Sequence, residues 1–496
     1  MALSWMQAFF HKHKSWLILG VILVVAAFVR LYHIETKMRF IWDEGRDMLA
    51  IRKIITQRDL TLFGPYNEMG VEKDFFGVFH YYLMLPALWL ADYNPVGPAI
   101  FTAMLGVISV ALVYLLVSMW DKRQLALWTA AIYALSPLVI KHVIWPWNPN
   151  TMPFFTLLYF IFLSKFHQRP ARLWSGLAGL TLGLLFQLHY FSIALLVPWL
   201  MLAWKKKSSV LNWALFIGAF LVANLNFILF DLTHEWFYFK ILKDSFVGGS
   251  SQQLLQFSLP HLLTTPFIFT NDTFAKLLTL PAIFTWPVTL SFMVFGYKRI
   301  QHFLVSQRLT LGTMVVGSWL GLLVIISFFP TLVNDYYGNY LWFGLLMIMT
   351  KGFIKFKNSF RCHSIFLIVG VLFCTRLFTE IDLGRQPTWQ ENMPLVRQLA
   401  EVAAQDAQSE TKTFNIASLA DSDTRATRYR YFLEVAGAKP LGVDDYSRTE
   451  VLYVISPHSA VASQQNPAWE ISTFIDQEWQ LLDSVNGISV FKVVRN

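Results

Sequence analysis

Charged residues are scarce in this sequence. Only 14% of its 496 residues are Asp, Glu, Lys or Arg, whereas 55% are hydrophobic. Soluble domains average roughly 25% charged residues. The deficit excludes a chain built only of soluble domains, because this much apolar surface needs lipid as part of its solvent.

Cysteine and the common phosphate-binding motifs are also scarce. The two cysteines are Cys362, in a basic loop, and Cys374, inside an apolar run. This pattern predicts no disulfide and no cysteine-based metal site. The sequence contains neither a P-loop nor a dinucleotide-type glycine-rich turn.

Long hydrophobic runs are abundant. A membrane-spanning helix needs about 20 apolar residues, and the runs predict about eleven such helices in a mainly α, polytopic membrane bundle. No small-residue cleavage site follows the first run, so it is predicted to be a retained helix. The candidate spans lie near 15–32, 96–120, 124–144, 151–165, 173–188, 190–204, 209–230, 277–296, 309–329, 339–354 and 364–378.

The net charge of +9 comes from basic clusters between alternate spans. This distribution fits the positive-inside rule rather than nucleic-acid binding, so no nucleic-acid partner is predicted. It places the N-terminus in the cytoplasm of a multi-pass plasma (inner) membrane protein, and an odd number of spans places the C-terminus outside. The clusters contain Lys12, Lys14, Lys122, Arg123, Lys165, Arg169, Arg172, Lys205, Lys206, Lys207, Lys298, Arg299, Arg308, Lys351, Lys355, Lys357 and Arg361.

A change of composition after Phe378 predicts two domains. Residues 1–378 form the transmembrane domain, with an outer loop at 33–95 that contains juxtamembrane helices. Residues 379–496 read as a soluble extracytoplasmic α/β domain. Its predicted strands are Phe414–Ser418, Glu450–Ile455 and Ile488–Val494, and its predicted helices are Met393–Ala404 and Arg425–Ala436.

The stretch Arg39–Gln57 carries the densest group of charges beside a predicted span, within the sequence RFIWDEGRDMLAIRKIITQ. Its apolar residues recur at helical spacing, which predicts an amphipathic helix on the outer membrane surface. Asp43 suits the N-cap position, and Asp43, Arg46 and Asp47 fall on one face. The alternative interpretation is a solvated juxtamembrane helix whose acid only caps it.

This stretch resembles the first outer loop of GT-C glycosyltransferases, closest to the protein O-mannosyltransferase and aminoarabinose transferase (family 39-like) group. In those enzymes an acidic residue, usually in a DE pair, follows the first span where a surface helix starts. Val71–Leu85 is similar to the family's FEKPPLLYW segment, with Asp74 and Phe75 in place of the usual Pro-Pro. Asn94–Trp120 and Tyr336–Leu346 are similar to later segments, and the resemblance covers about 1–350.

The resemblance implies an integral membrane glycosyltransferase of the cell envelope. Such an enzyme moves a sugar from a polyprenyl-phosphate donor to a hydroxyl acceptor, on a protein, glycolipid or wall polymer, and inverts the anomeric centre. Asp43 is then the candidate general base, and Glu44 assists it or orients a partner. Arg46 and Lys73 match positions expected near the lipid phosphate.

Further candidates come from three outer turns. Asn148 and Asn150 lie in HVIWPWNPNTMP, near the place where the aminoarabinose branch has a second carboxylate. They suit either hydrogen bonds to sugar or phosphate oxygens or a Pro/Asn turn between two spans. The departure puts a metal-bridged mechanism in doubt; no metal ligands are predicted and no cofactor is firmly implied, although a divalent metal is possible. His189, Tyr190 and Tyr337 suit either contact with the donor or an interfacial aromatic belt.

Two other classes of protein fit the many spans. A lipid flippase or transporter without covalent chemistry predicts inverted repeats and charges at the midplane of the membrane. A membrane scaffold predicts that the soluble tail performs the function. The charges here cluster at one outer surface instead, which favours the transferase.

Overall fold

The computed structural model of the chain describes residues 2–66, 76–240, 243, 259–328, 334–356, 375, 377–379, 392–474 and 477–495. The candidate Lys73 and nearly all of the predicted span at 364–378 lie outside these residues. The helices up to residue 356 are Ala2–Leu31, Ile34–Lys37, Trp42–Gln57, Phe79–Leu90, Val96–Ser118, Arg123–Leu135, Pro137–Val143, Met152–Gln168, Arg172–Leu188, Leu196–Lys206, Val210–Ala223, Leu225–Thr233, Leu259–Leu278, Ala282–Ser306, Leu311–Ile326 and Trp342–Phe356. Three 3₁₀ helices join them, at Asn148–Thr151, Tyr190–Leu195 and Asp335–Leu341.

Apolar helices of membrane-spanning composition recur along this part of the chain. Among the described residues, Lys14–Leu31 and Val96–Ser118 are each long and apolar enough to cross a membrane. Three bent pairs of helices meet the same test when taken together, which raises the number to five. The prediction of a mainly α membrane bundle is confirmed, whereas the number of eleven spans stays a prediction.

The predicted span at 124–144 is two helices that meet at an angle of 61°. The break falls at Ser136, whose backbone is extended with ψ 118°. Pro137 follows it, and the proline ring disfavours helical geometry in the preceding residue. The local sequence therefore accounts for the bend.

The Cα positions divide the chain into two compact units. The first unit contains Met1–Tyr32, Thr61–Leu83 and Phe101–Asp382. Its core contains the buried Trp199, which stacks on Phe216 with ring centroids 4.2 Å apart. Gly179 allows its helix to approach the helix of Phe216 closely, because a Cβ there would lie 2.0 Å from the Phe216 carbonyl oxygen.

The second unit contains His33–Leu60, Met84–Ile100 and Leu383–Asn496. Its C-terminal part has a four-stranded sheet in the order β1-β2-β4-β3, in which β1 and β2 are parallel and the other pairs antiparallel. The strands are β1 Phe414–Ser418, β2 Val451–Ser456, β3 Trp479–Val485 and β4 Ile488–Val494. The helices are Met393–Gln408, Thr427–Val435, Ala460–Gln464 and Trp469–Ser472, with a 3₁₀ turn at Tyr446–Arg448.

The sheet follows from its sequence. Every residue of β2 is buried, as expected of an apolar central strand. Strand β3 was not predicted from the sequence, although Asn486 and Gly487 join it to β4 with φ of 51° and 79°. Two positive φ values define the tight hairpin turn that an Asn-Gly pair favours. The α/β character of the C-terminal segment is confirmed, and the boundary between 378 and 379 stays a prediction.

Candidate active site

The helix Trp42–Gln57, called the acidic helix below, carries the candidate base. It begins at Trp42 rather than after Asp43, so the prediction that Asp43 is the N-cap was wrong. The N-cap is Ile41. Glu44, the third residue of the helix, reaches back to it, and its Oε2 accepts a hydrogen bond from the Ile41 N–H at 2.9 Å. Asp43 lies in the first turn, where a carboxylate is stabilised by the positive end of the helix dipole.

Arg46 joins two carboxylates on one face of the acidic helix. Its Nη1 lies 2.9 Å from Oδ1 of Asp43, and its Nη2 lies 2.8 Å from Oδ1 of Asp47. Its Nε also donates to Oδ1 of Asp47, at 2.9 Å. Residues three apart on a helix are neighbours, so the first turn and a half holds all three groups in one network.

This network is shielded from solvent. The exposed fraction of the side chain is 13% for Asp43, 14% for Arg46 and 1% for Asp47. Burial raises the pKa of Asp43 to about 6, with the charge of Arg46 opposing the rise and that of Asp47 adding to it. A carboxylate with this pKa is ionised at neutral pH and still basic enough to accept a proton.

The C-terminal segment supports the acidic helix within the second unit. The helix Thr427–Val435 packs on the acidic helix so closely that a Cβ on Gly45 would lie 2.5 Å from the Arg428 Cα. The buried Arg428 guanidinium lies 2.7 Å from Oδ2 of Asp421. Farther along, Nη1 of Arg52 lies 3.0 Å from Oε2 of Glu434. These partners were not predicted from the sequence, because no local motif connects them.

Asn148 and Asn150 lie in the first unit, where both side chains are buried. The Asn148 amide donates to the Leu188 carbonyl at 2.7 Å, and the Asn150 amide donates to the Trp145 carbonyl at 3.1 Å. The Asn150 carbonyl oxygen lies 3.0 Å from Nδ1 of His142. These bonds fix the turn between two helices.

Aromatic side chains of the first unit bring together three more predicted residues. The ring of His189 lies 4.8 Å from that of Tyr190 and 5.2 Å from that of Tyr337, measured between centroids. Tyr336 packs edge-on against Trp147 at 4.6 Å. The cluster gives partly exposed aromatic surface beside the buried asparagines.

An ionic group adjoins this aromatic cluster. Oδ2 of Asp335 lies 3.2 Å from Nζ of Lys276, which also pairs with Asp272 at 2.8 Å. The other oxygen of Asp335 lies 3.8 Å from Nε2 of His142. Lys276 was not among the predicted site residues, because it is an isolated cation in a polar stretch after a long apolar segment.

Two of the three comparisons with known proteins find nothing: no family model matches the chain, and no curated protein matches it either. Solved structures do match. ArnT from Cupriavidus metallidurans bound to undecaprenyl phosphate is 13% identical with a TM-score of 0.51, and the match covers 96% of this chain and 97% of that one. The oligosaccharyltransferase of Archaeoglobus fulgidus in complex with Zn and sulfate is 12% identical with a TM-score of 0.51, and covers 88% and 67%.

This chain has the GT-C fold. A further match supports this, to the same archaeal oligosaccharyltransferase tethered with an acceptor peptide, at 12% identity and a TM-score of 0.51 over 98% of this chain and 74% of that one. The fold expected from the sequence resemblance is thereby confirmed. The acidic helix follows the first apolar helix along the chain, as the sequence resemblance to GT-C enzymes predicts.

No group of three or more His, Cys, Asp or Glu side chains within the described ranges is arranged to hold a metal ion. In the acidic helix of this GT-C fold, the cation between the two aspartates is the Arg46 guanidinium.

Proposed function

We propose that the chain is an integral membrane glycosyltransferase that transfers a sugar from a polyprenyl-phosphate donor to a hydroxyl acceptor. The observation that carries the proposal is the shielded Asp43–Arg46–Asp47 network at the start of the acidic helix, on a GT-C fold. The alternative interpretation, a solvated acid that only caps the helix, does not account for a network of buried charged partners. Such networks of shifted pKa are common at active sites.

Asp43 acts as the general base. Its carboxylate accepts the proton of the acceptor hydroxyl while that oxygen forms a bond to the anomeric carbon. The bond from the anomeric carbon to the lipid phosphate breaks on the opposite side, so one displacement inverts the centre. Glu44 orients the base, because its contact with the Ile41 N–H fixes the start of the helix.

Cations hold the departing phosphate. Arg46 has five N–H groups, enough to hold carboxylates and to donate to phosphate oxygens, and Lys73 is proposed to assist it. Support for a lipid-phosphate donor comes from ArnT of Cupriavidus metallidurans, whose structure contains undecaprenyl phosphate. In the first unit, Asn148, Asn150, His189, Tyr190 and Tyr337 are proposed to line the donor site, with the asparagines holding its turn.

The proposed reaction takes place on the outer face of the plasma (inner) membrane. The basic clusters assign the N-terminus to the cytoplasm and the 379–496 domain to the exterior. Nucleotide sugars stay in the cytoplasm, so an outward-facing transferase needs a membrane-soluble donor. The acceptor is a hydroxyl of a protein, a glycolipid or a wall polymer.

The test measures release of polyprenyl phosphate by the purified protein in lipid nanodiscs. The probes are undecaprenyl phosphates that carry mannose or aminoarabinose, supplied with extracted envelope material as acceptor. We expect Asp43→Asn to lower the rate by about 10²–10⁴-fold. Asp59→Asn is the matched control, since Asp59 is exposed just beyond the same helix.

Two outcomes contradict the proposal. Near wild-type release by the Asp43→Asn protein shows that another group is the base. Movement of the labelled lipid between leaflets of a liposome, with the sugar bond intact and no release with any acceptor, identifies a flippase instead.

A further inference from the structure

A cleft of about 550 Å³ opens in the first unit among the ends of several helices. Its walls come from Val96–Ser118, Ala282–Ser306, Leu311–Ile326 and Trp342–Phe356, with Asp121 and Leu125 beside them. Basic residues of the predicted cytoplasmic side lie within or just beyond the ends of these segments, at Lys122, Arg123, Lys298, Arg299, Arg308, Lys351 and Lys355. The proposed catalytic residues contribute nothing to its lining.

One end of the cleft is basic. Among the described residues, Arg299, Lys351 and Lys355 line it together with the carboxylate of Asp121. Lys351 forms an ion pair with Asp121, and the Arg299 guanidinium lies 4.9 Å from the centre of the Phe295 ring. The lining therefore has an excess of positive charge that attracts an anion.

The rest of the cleft is mostly apolar, with Ser291 and Thr310 as its polar residues among those described. From Arg299 it runs along the same helix past Phe295 and Phe292 to Val288. These twelve residues span about 16 Å of helix, at a rise of 1.5 Å per residue. A small soluble anion makes no favourable contact with an apolar wall of this length, whereas the acyl chain of a lipid packs against it.

We propose that this cleft binds one anionic phospholipid. The phosphate of the headgroup lies among Arg299, Lys351 and Lys355, and one acyl chain lies along Phe295, Phe292 and Val288. Basic pockets between membrane helices on the cytoplasmic side suit anionic headgroups in this way. The site is distinct from the proposed donor site and does not depend on the transferase activity.

The first test titrates the purified full-length protein with phosphatidylglycerol or phosphatidylethanolamine and counts bound lipids by native mass spectrometry. We expect tight binding of one phosphatidylglycerol only. Replacing both Arg299 and Lys355 by Gln removes two charges and weakens binding by roughly thirtyfold. Lys298→Gln is the matched control, because Lys298 is exposed beside Arg299 and does not line the cleft.

A second variant leaves every charge in place. Gly352 lines the cleft, and a Cβ there meets no atom within 4 Å. Gly352→Leu extends a side chain into the cleft from a Cβ that meets no other atom, so we expect a folded protein that has lost the bound lipid. Gly176→Leu is its control, because Gly176 also faces open space but lies outside the cleft.

Three results overturn the proposal. One is equal retention of phosphatidylethanolamine, and another is equal loss of binding in the Lys298→Gln protein. The third is displacement of the lipid by millimolar inorganic pyrophosphate with no effect of Gly352→Leu, which identifies a site for a free anion.

Discussion

At the scale of single residues, the protonation of Asp43 sets the pH range of the proposed reaction. Burial raises its pKa to about 6 from the 3.8 of a free aspartate. Only the deprotonated form accepts a proton, so the rate is expected to fall about tenfold per pH unit below pH 6 and to level off above it. Initial rates of polyprenyl phosphate release between pH 4.5 and 8 test this, and a flat profile contradicts it.

The charged neighbours of Asp43 shift the pH at which the rate begins to fall, called the acidic limb of the pH profile below, in opposite directions. Arg46 lowers the pKa of Asp43, as Arg39 does more weakly, whereas Asp47 raises it. Arg46→Gln removes a cation that stabilises the carboxylate, so the limb shifts to higher pH. Asp47→Asn removes a negative charge, so the limb shifts to lower pH. A general loss of structure lowers the plateau but does not produce two opposite shifts.

At the scale of the element, the acidic helix depends on a contact that only glycine permits. Gly45 faces the Arg428 backbone, and a Cβ there would lie 2.5 Å from Cα and 2.7 Å from N of Arg428. Gly45→Ala is therefore expected to destabilise the protein by about 1–3 kcal/mol and to lower the transfer rate. Thermal unfolding and rate are measured together.

The control for this substitution is Gly218→Ala, also in a helix but with no atom within 4 Å of the added Cβ. It is expected to be neutral or to stabilise the protein by about 0.5–1 kcal/mol. Equal stability of the Gly45→Ala and Gly218→Ala proteins contradicts the close packing of Thr427–Val435 on the acidic helix.

The same element shows where sequence reasoning ends. The charge pattern of DEGRD predicts an acidic helix and places Asp43, Arg46 and Asp47 on one face, because helical spacing is local. The contact of Arg428 with the Phe40 carbonyl joins residues 388 positions apart. No property of a single sequence pairs residues so distant. By contrast, β3 could have been predicted from the sequence, because the Asn486–Gly487 pair is a local signal for a hairpin.

At the scale of the whole molecule, the fold class follows from composition. Apolar runs of spanning length leave few alternatives to a helical membrane bundle, and β-branched runs mark three of the four strands. The bends of the individual helices are harder to predict from composition. The bend at Ser136 depends on Pro137, and the composition of the span at 124–144 does not reveal it.

The three chain segments of the second unit give the C-terminal segment a role that its sequence does not suggest. Arg52 binds Glu434 through both the carboxylate and the carbonyl, at 3.0 and 2.9 Å, and Phe40 packs against Phe432 with ring centroids 5.2 Å apart. These contacts bury the start and the middle of the acidic helix. We infer that the C-terminal segment positions the helix that carries the proposed base.

Truncation of the membrane protein before Met393 tests this role. The shortened chain is expected to insert into membranes, because its apolar helices are intact, but to release polyprenyl phosphate at a rate at least about 10²-fold lower as the base loses its fixed position. Trypsin is expected to cleave at Arg52 or Lys53 in the truncated protein and not in the intact one, since partner contacts protect folded backbone. A truncated protein with the wild-type rate and the wild-type protease pattern contradicts the positioning role, whereas a lost rate with an unchanged protease pattern indicates that the segment acts on the acceptor instead.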